Sequence, residues 1–264
     1  MSKKIIFFDI DGTLYAPENG GVTEKVKSAV KQTSALGHLC FIASGRPYGF
    51  IADNIKEIGF DGYVLANGAN IKYHNQDLET RYMNYQDVKR FVSDLKAKNI
   101  EYVLQTTTLC YLRKECASLL DFYSRCNIDF ENFGYDFNEV EIMKKTVKIE
   151  AYGKTQEEVD YIIEHSSPFS YELHPDNHSM EIYSPTVSKA TGILDVLKDL
   201  DVDVQDSYCF GDGPNDVEMF ETVGHPIAMG NALDIIKEKA EDICLSVHED
   251  GVAYKLEELF GIKA

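Results

Sequence analysis

Short runs of consecutive apolar residues, most ending at small or acidic ones, set the rhythm of this chain. Ile5, Ile6, Phe7 and Phe8 run into Asp9, and similar runs are LCFIA at 39–43, YVLA at 63–66, YCF at 208–210 and ICL at 243–245. Strands apolar at every position, rather than at alternate ones, predict a parallel sheet covered on both faces. Between the first two runs Val22, Val26, Ala29, Val30, Thr33 and Leu36 recur at helical spacing and Gly37 suits a stop, so the spacing predicts a helix there. A further helix over about 48–58 and a strand ending at Asn67 complete an alternation of strands and helices.

The pattern changes after NGANIKYH at 67–74. From 81 to 187 the strands EYVLQTT, VKIEAY and SMEIYS look half-exposed, with helices over about 86–98 and 155–165. Tyrosine and phenylalanine are dense here, as in DFYSRCNIDFENFGYDF, and the reading is that they form this segment's own core. From Ser188 the first pattern resumes: a helix over 188–200, the strand SYCFGD, a helix over 214–223, the strand PIAMG, a helix near 232–239, the strand DICLS and a last helix ending LEELFG. The expectation is an α/β fold whose sheet is built from 1–80 and 188–264, with an α+β domain, 81–187, inserted between them.

Composition narrows the function. The 264 residues carry a formal net charge of −18, which repels nucleic acid and anionic membrane surfaces, so neither is an expected partner. Any anionic substrate must then meet cations concentrated locally, as placed side chains or a metal. The opening MSKKIIFF is too short an apolar run for a secretory signal, and no stretch approaches the roughly 20 apolar residues of a membrane span. The six cysteines include no C-x-x-C pair; Cys40, Cys209 and Cys244 lie in apolar runs and read as small buried hydrophobes. A cytoplasmic protein with reduced thiols is the expectation; the oligomeric state is not legible.

Chemistry gathers where the apolar runs end. In an extended segment alternate side chains share a face, so Asp9 and Asp11 can point the same way while Ile10 points to the core, and Gly12 and Thr13 then turn the chain. Ligands of open parallel sheets bind beyond the strands' carboxyl ends, where these acids sit. The second strand ends in ASGRP, where Ser44 offers a hydroxyl and Gly45 lets backbone amides approach an anion. FGDGPND supplies Asp212, Asn215 and Asp216 among turn-forming glycines. So many acids would repel one another, and all-oxygen ligands suit Mg²⁺. Lys189 opens a helix behind a candidate Ser188 N-cap, and helix N-termini attract anions.

Together these residues resemble the haloacid dehalogenase superfamily of phosphohydrolases. DIDGTL, ASGR, Lys189 in SKATG, and GDGPND match its four motifs in order. The long insert between the second and third is similar to that of the Cof-type branch, with its large α+β cap. NGA at 67–69, AMGNA at 228–232 and EDGVAYKLEEL near the C-terminus match further stretches of that branch. The resemblance implies a Rossmann-like core and a Mg²⁺-dependent phosphatase acting on a small phosphorylated metabolite, a sugar phosphate or phosphorylated cofactor, through an aspartyl-phosphate. Asp9 would be the nucleophile and Asp11 the acid and base. Mg²⁺ would bind the Asp9 carboxylate, the Asp11 carbonyl and Asp212, supported by Asp216. Ser44, Gly45, Lys189 and Asn215 would hold the phosphate. Asn67 and Thr13 would support the site, and the cap would select the substrate.

Two other readings of that fold stay open: a phosphomutase that returns the phosphoryl group to a sugar, and a catalytically silent phosphate-binding regulator. YGKT at 152–155 is no nucleotide-binding P-loop, because Lys148 stands where the loop's first glycine belongs. GDGPND likewise ends in Asp216 where a dinucleotide fingerprint needs glycine.

Overall fold

The computed structural model describes residues 3–264 apart from 17, 19, 127, 129 and 175. Its strands run, in chain order, β1 (Ile5–Phe8), β2 (Leu39–Ala43), β3 (Gly62–Leu65), β4 (Asn70–Tyr73) and β5 (Gln76–Thr80). Six more follow: β6 (Glu101–Gln105), β7 (Cys110–Tyr111), β8 (Phe133–Gly134), β9 (Lys148–Tyr152), β10 (Ser170–Leu173) and β11 (Ser179–Tyr183). The last are β12 (Ser207–Gly211), β13 (His225–Ala228) and β14 (Asp242–Ile243). The chain forms two compact units, one from the residues up to Gly45 with Ile51–Glu79 and Ser188–Ala264, the other from Arg46–Phe50 with Thr80–Val187.

The first unit is an α/β domain whose sheet has the order β14-β13-β12-β1-β2-β3-β4-β5. β14 through β3 pair in parallel, as the apolar runs of β1 and β2 predict, although the edge strand β14 is exposed, and β4 turns back antiparallel on β3. All four residues of β1 are fully buried. Phe7 lies opposite Phe41, with ring centroids 5.6 Å apart, and Phe8 stacks on Phe210 at 5.3 Å. Each such side chain contributes about 1.5–3 kcal/mol on burial, which anchors β1 at the centre of the sheet. From β1 the chain builds outward through β2 and β3 on one side, and from β12 through β13 and β14 on the other. The order therefore reverses between β1 and β12, the switch point at which open α/β sheets form a crevice.

The predicted helix after β1 is Glu24–Ala35, with Thr23 Oγ1 accepting from the Val26 amide. It buries Val26, Ala29, Val30 and Thr33, whereas Leu36 caps the end and is 56% exposed, outside the apolar face assigned to it. The helix expected over 48–58 is broken: a 3₁₀ turn, Tyr48–Phe50, precedes the four-residue helix Asp53–Lys56. Likewise 214–223 divides into a 3₁₀ turn, Pro214–Asp216, and Val217–Phe220, because the Asp216 side chain accepts bonds from the amides of Asp212 and Gly213. Cys40 and Cys209 are buried, but Cys244, just past β14, is only partly covered. Among the described residues no helix is long and apolar enough to cross a membrane.

The second unit is a mixed sheet of order β10-β11-β9-β6-β7-β8. One face packs Tyr102, Leu104, Ile149, Ala151, Met180 and Ile182 against the helices Tyr85–Ala97 and Gln156–His165. On the other, Val103 and Cys110 join Phe50, Leu119, Tyr123 and Phe133, so the dense aromatics are core. The central strands are therefore buried on both faces, not half-exposed. Their polar positions are ion-paired inside: Lys148 Nζ lies 2.5 Å from Glu181 Oε1, and His174 Nε2 lies 3.2 Å from Glu150 Oε1.

Candidate active site

The expected residues gather in the first unit, at the carboxyl ends of β1 and β12 and at one helix N-terminus. Asp9 follows β1 directly, and its amide donates to the Phe210 carbonyl at 3.0 Å, so the sheet's own ladder holds it. Its side chain is buried beside Lys189, whose Nζ donates to Asp9 Oδ1 and to Asp216 Oδ1, both at 2.6 Å. Lys189 is the first residue of the helix Lys189–Asp199, which a reciprocal cap fixes: Ser188 Oγ accepts the Thr191 amide and Thr191 Oγ1 accepts the Ser188 amide. Asp216 is fully buried; its second oxygen accepts the amides of Asp212 and Gly213, which closes the loop after β12.

Thr13 and Gly12 fit the first loop to the second. Thr13 Oγ1 donates to Asp212 Oδ1 at 2.9 Å. Gly12 has φ +81°, and a Cβ there would lie 2.2 Å from Asp212 Oδ2, so only glycine lets the two loops approach. Asp11 and Asn215 are exposed, the latter within the turn Pro214–Asp216. Ser44, Gly45 and Asn67 form a neighbouring group. The buried Ser44 accepts the Asn67 amide on its carbonyl at 3.2 Å, and Gly45, the next residue, is partly exposed. Asn67 is buried with φ +54°. The NGA match has a steric cause: a Cβ on Gly68, φ +88°, would meet the Ser188 carbonyl at 2.0 Å, so the turn lies tight against the start of the lysine's helix.

Charge is unbalanced at this place. Burial raises the Asp9 carboxyl well above the ordinary range; Lys189 opposes this, while Asp216, Asp11 and Asp212 add to it. Burial would lower the Lys189 ammonium, but Asp216 and Asp9 hold it above its usual range. Both directions follow from one cation shared by two carboxylates with further acids nearby. Burial, with Asp216 and Asp11, also pushes Asp212 up to about 6, against the Thr13 hydrogen bond. One oxygen from each of Asp9, Asp212 and Asp216 lies within 4.8 Å of the others. A convergent all-oxygen set with surplus negative charge fits a hard divalent cation. The arrangement combines a rigid buried carboxylate, one lysine shared by two acids and an acid cluster of the kind that holds a divalent cation.

Gly12, Gly68 and the capping Thr191 do structural work that composition did not announce. Asn231, within AMGNA, donates to the Gly12 carbonyl, a contact its local sequence does not signal.

Residues 6–256 match the family model described as haloacid dehalogenase-like hydrolase. YkrA of Bacillus subtilis is 30% identical over 260 residues, covering 98% of each chain. The B. subtilis 5-amino-6-(5-phospho-D-ribitylamino)uracil phosphatase YitU is 26% identical, over 98% of each chain. A crystal structure of a protein from Geobacillus kaustophilus HTA426, 26% identical, superposes with a TM-score of 0.87 over 99% of this chain and all of that one. With the motifs in order and this fold around them, the chain belongs to the haloacid dehalogenase-like hydrolases, in the Cof-type branch, and is a phosphoric monoester hydrolase.

Proposed function

We propose that the chain is a Mg²⁺-dependent phosphatase that removes phosphate from a small phosphorylated metabolite, a sugar phosphate or phosphorylated cofactor, through an aspartyl-phosphate on Asp9. The observation that carries the reading is Asp9 itself: a buried carboxylate fixed at a strand end, bonded to Lys189 at 2.6 Å, with oxygens of Asp212 and Asp216 within 4.8 Å.

An oxygen of Asp9 attacks phosphorus, the bond to the leaving oxygen breaks, and Asp11 supplies that oxygen's proton. Asp11 then takes a proton from water, the resulting hydroxide attacks phosphorus, and the Asp9–phosphate bond breaks to release inorganic phosphate. Lys189, the Ser44 hydroxyl, the Gly45 amide and Asn215 hold the phosphoryl oxygens where charge accumulates. Asn67 and Thr13 support them. Asp9, the Asp11 carbonyl and Asp212 would hold Mg²⁺, with Asp216 keeping the loop in shape. When bound, the cation offsets the repulsion between carboxylate and phosphate. Substrate selection falls to the inserted unit, and the similarity to YitU, a 5-amino-6-(5-phospho-D-ribitylamino)uracil phosphatase, supports a sugar- or polyol-like leaving group.

The test is phosphate release from p-nitrophenyl phosphate and from a panel of phosphorylated metabolites with Mg²⁺, comparing the wild type with Asp9→Asn. The wild type should turn over and the variant should not, and trapped phosphoenzyme should carry its label on Asp9. Equal rates in both proteins overturn the mechanism. An isomeric sugar phosphate accumulating in place of inorganic phosphate makes it a mutase.

A further inference from the structure

We infer that Asn231 is a positioning residue of this site, an inference that rests on the functional reading above. The segment 229–233 leaves β13 and passes beside both acid-bearing loops. On one side the Met229 amide donates to the Gly211 carbonyl at 3.1 Å and the Leu233 amide to the Asp212 carbonyl at 3.2 Å. On the other, Asn231 Nδ2 donates to the Gly12 carbonyl at 2.8 Å, while its Oδ1 accepts the Val247 amide at 2.8 Å. One short segment thus grips the turn after Asp9 and the loop of Asp212 together, and Asn231 is itself pinned from behind.

What it grips is the close approach between the two acid-bearing loops. Gly12 is the residue whose Cα faces the Asp212 carboxylate, and Thr13, next in the chain, hydrogen-bonds Asp212 Oδ1. A shift of the Gly12 carbonyl therefore moves the Thr13 hydroxyl and the spacing between Asp9 and Asp212. Asn231 is exposed, so its side chain adds little to the apolar core; both of its polar ends bond backbone in other segments. Partners that orient metal ligands typically control affinity or activity by about 10- to 100-fold.

Asn231→Asp keeps the acceptor for Val247 and turns an oxygen toward the Gly12 carbonyl, while Asn231→Ala removes both bonds. Val247→Pro deletes the amide behind Asn231 and also replaces a buried valine side chain, whose packing cost the urea midpoint reads. It does so at the first position of the 3₁₀ turn Val247–Glu249, after a Ser246 already extended at ψ 165°, where proline fits. Mg²⁺ affinity is measured by calorimetry, with steady-state kinetics and a urea midpoint for each protein. In both Asn231 variants Mg²⁺ affinity should fall about 10-fold and kcat about 10- to 100-fold, with KM within about 2-fold of wild type. Val247→Pro should move the same quantities in the same direction by less. Unchanged Mg²⁺ affinity and kcat in the Asn231 variants, or a lowered urea midpoint with affinity intact, overturns the inference while the phosphatase reading stands. A wild-type protein that neither binds Mg²⁺ nor releases phosphate overturns the reading and this inference with it.

Discussion

Replacing Lys189 by Met tests the charge balance at the centre of the site. The ammonium is bonded to both Asp9 and Asp216, and its side chain is fully buried. Methionine fills similar volume but leaves two carboxylates facing each other with the side chain of Asp9 8% exposed and that of Asp216 not at all. Removing one partner from a buried ion pair costs about 3–5 kcal/mol. The variant can reduce that penalty by protonating a carboxyl. A carboxyl whose folded pKa is raised binds protons better in the native state, so its contribution to stability declines as pH rises from the unfolded value toward the raised one. The deficit against wild type should therefore widen with pH by up to about 1.4 kcal/mol per pH unit for each carboxyl that takes up a proton. Urea unfolding in EDTA at about pH 5 and pH 7.5 measures it. With Mg²⁺ present, kcat/KM should fall at least about 100-fold. A deficit below about 1 kcal/mol at the higher pH, or one equal at both, would refute the view that Lys189 balances buried charge.

Gly12→Ala should lose at least about 1 kcal/mol from its positive φ alone and weaken Mg²⁺ binding, because the new methyl meets Asp212; thermal melts with and without Mg²⁺ check both. Ser188→Ala deletes the cap that starts the lysine's helix and should destabilise by about 1 kcal/mol in urea, with kcat lowered through the displaced Lys189. In the second unit, burial would lower the His174 imidazolium, but the buried Glu150 and the partly buried Glu181 raise it to about 9. Its stabilisation is then complete below about pH 6.5 and lost as pH rises through about 9, on the order of 2–3 kcal/mol in all. His174→Gln should flatten that slope in unfolding free energy measured from pH 6.5 to 9.5, and an unchanged slope would show that the imidazolium does not carry it.

The parallel half of the fold was legible because β1, β2, β3 and β12 satisfy the same demand on both faces, so their positions are apolar almost throughout, the buried Ser207 of β12 being an exception. The inserted unit was harder to read for the complementary reason. Lys148, Glu150 and Glu181 alternate with apolar neighbours as solvent-facing residues do, yet Lys148 and Glu150 are buried and Glu181 is mostly covered, with opposite charges beside them. Alternation reports that two faces differ in polarity, not that one of them is wet. The hairpin of β4 and β5 leaves no such signal, because a polar strand such as Gln76–Thr80, largely exposed along its length, carries no apolar period.

The acids of the site announced themselves through their own neighbours, since an apolar run before Asp9 and turn residues around Asp212 are visible within a few positions. What organises those acids depends on contacts across the whole chain. Lys189 meets Asp9 over 180 residues, Thr13 meets Asp212 over 199, and Asn231 meets Gly12 over 219. A lysine on a helix is ordinarily solvated, and nothing within its own segment marks Lys189 as buried. Only the strand order, which places β12 beside β1, brings the third and fourth motifs against the first. Motif order therefore states more than membership. It places a cation opposite the buried acids, whereas the bond from Asn231 to the Gly12 carbonyl, made by an ordinary exposed side chain, is set only by the folded chain.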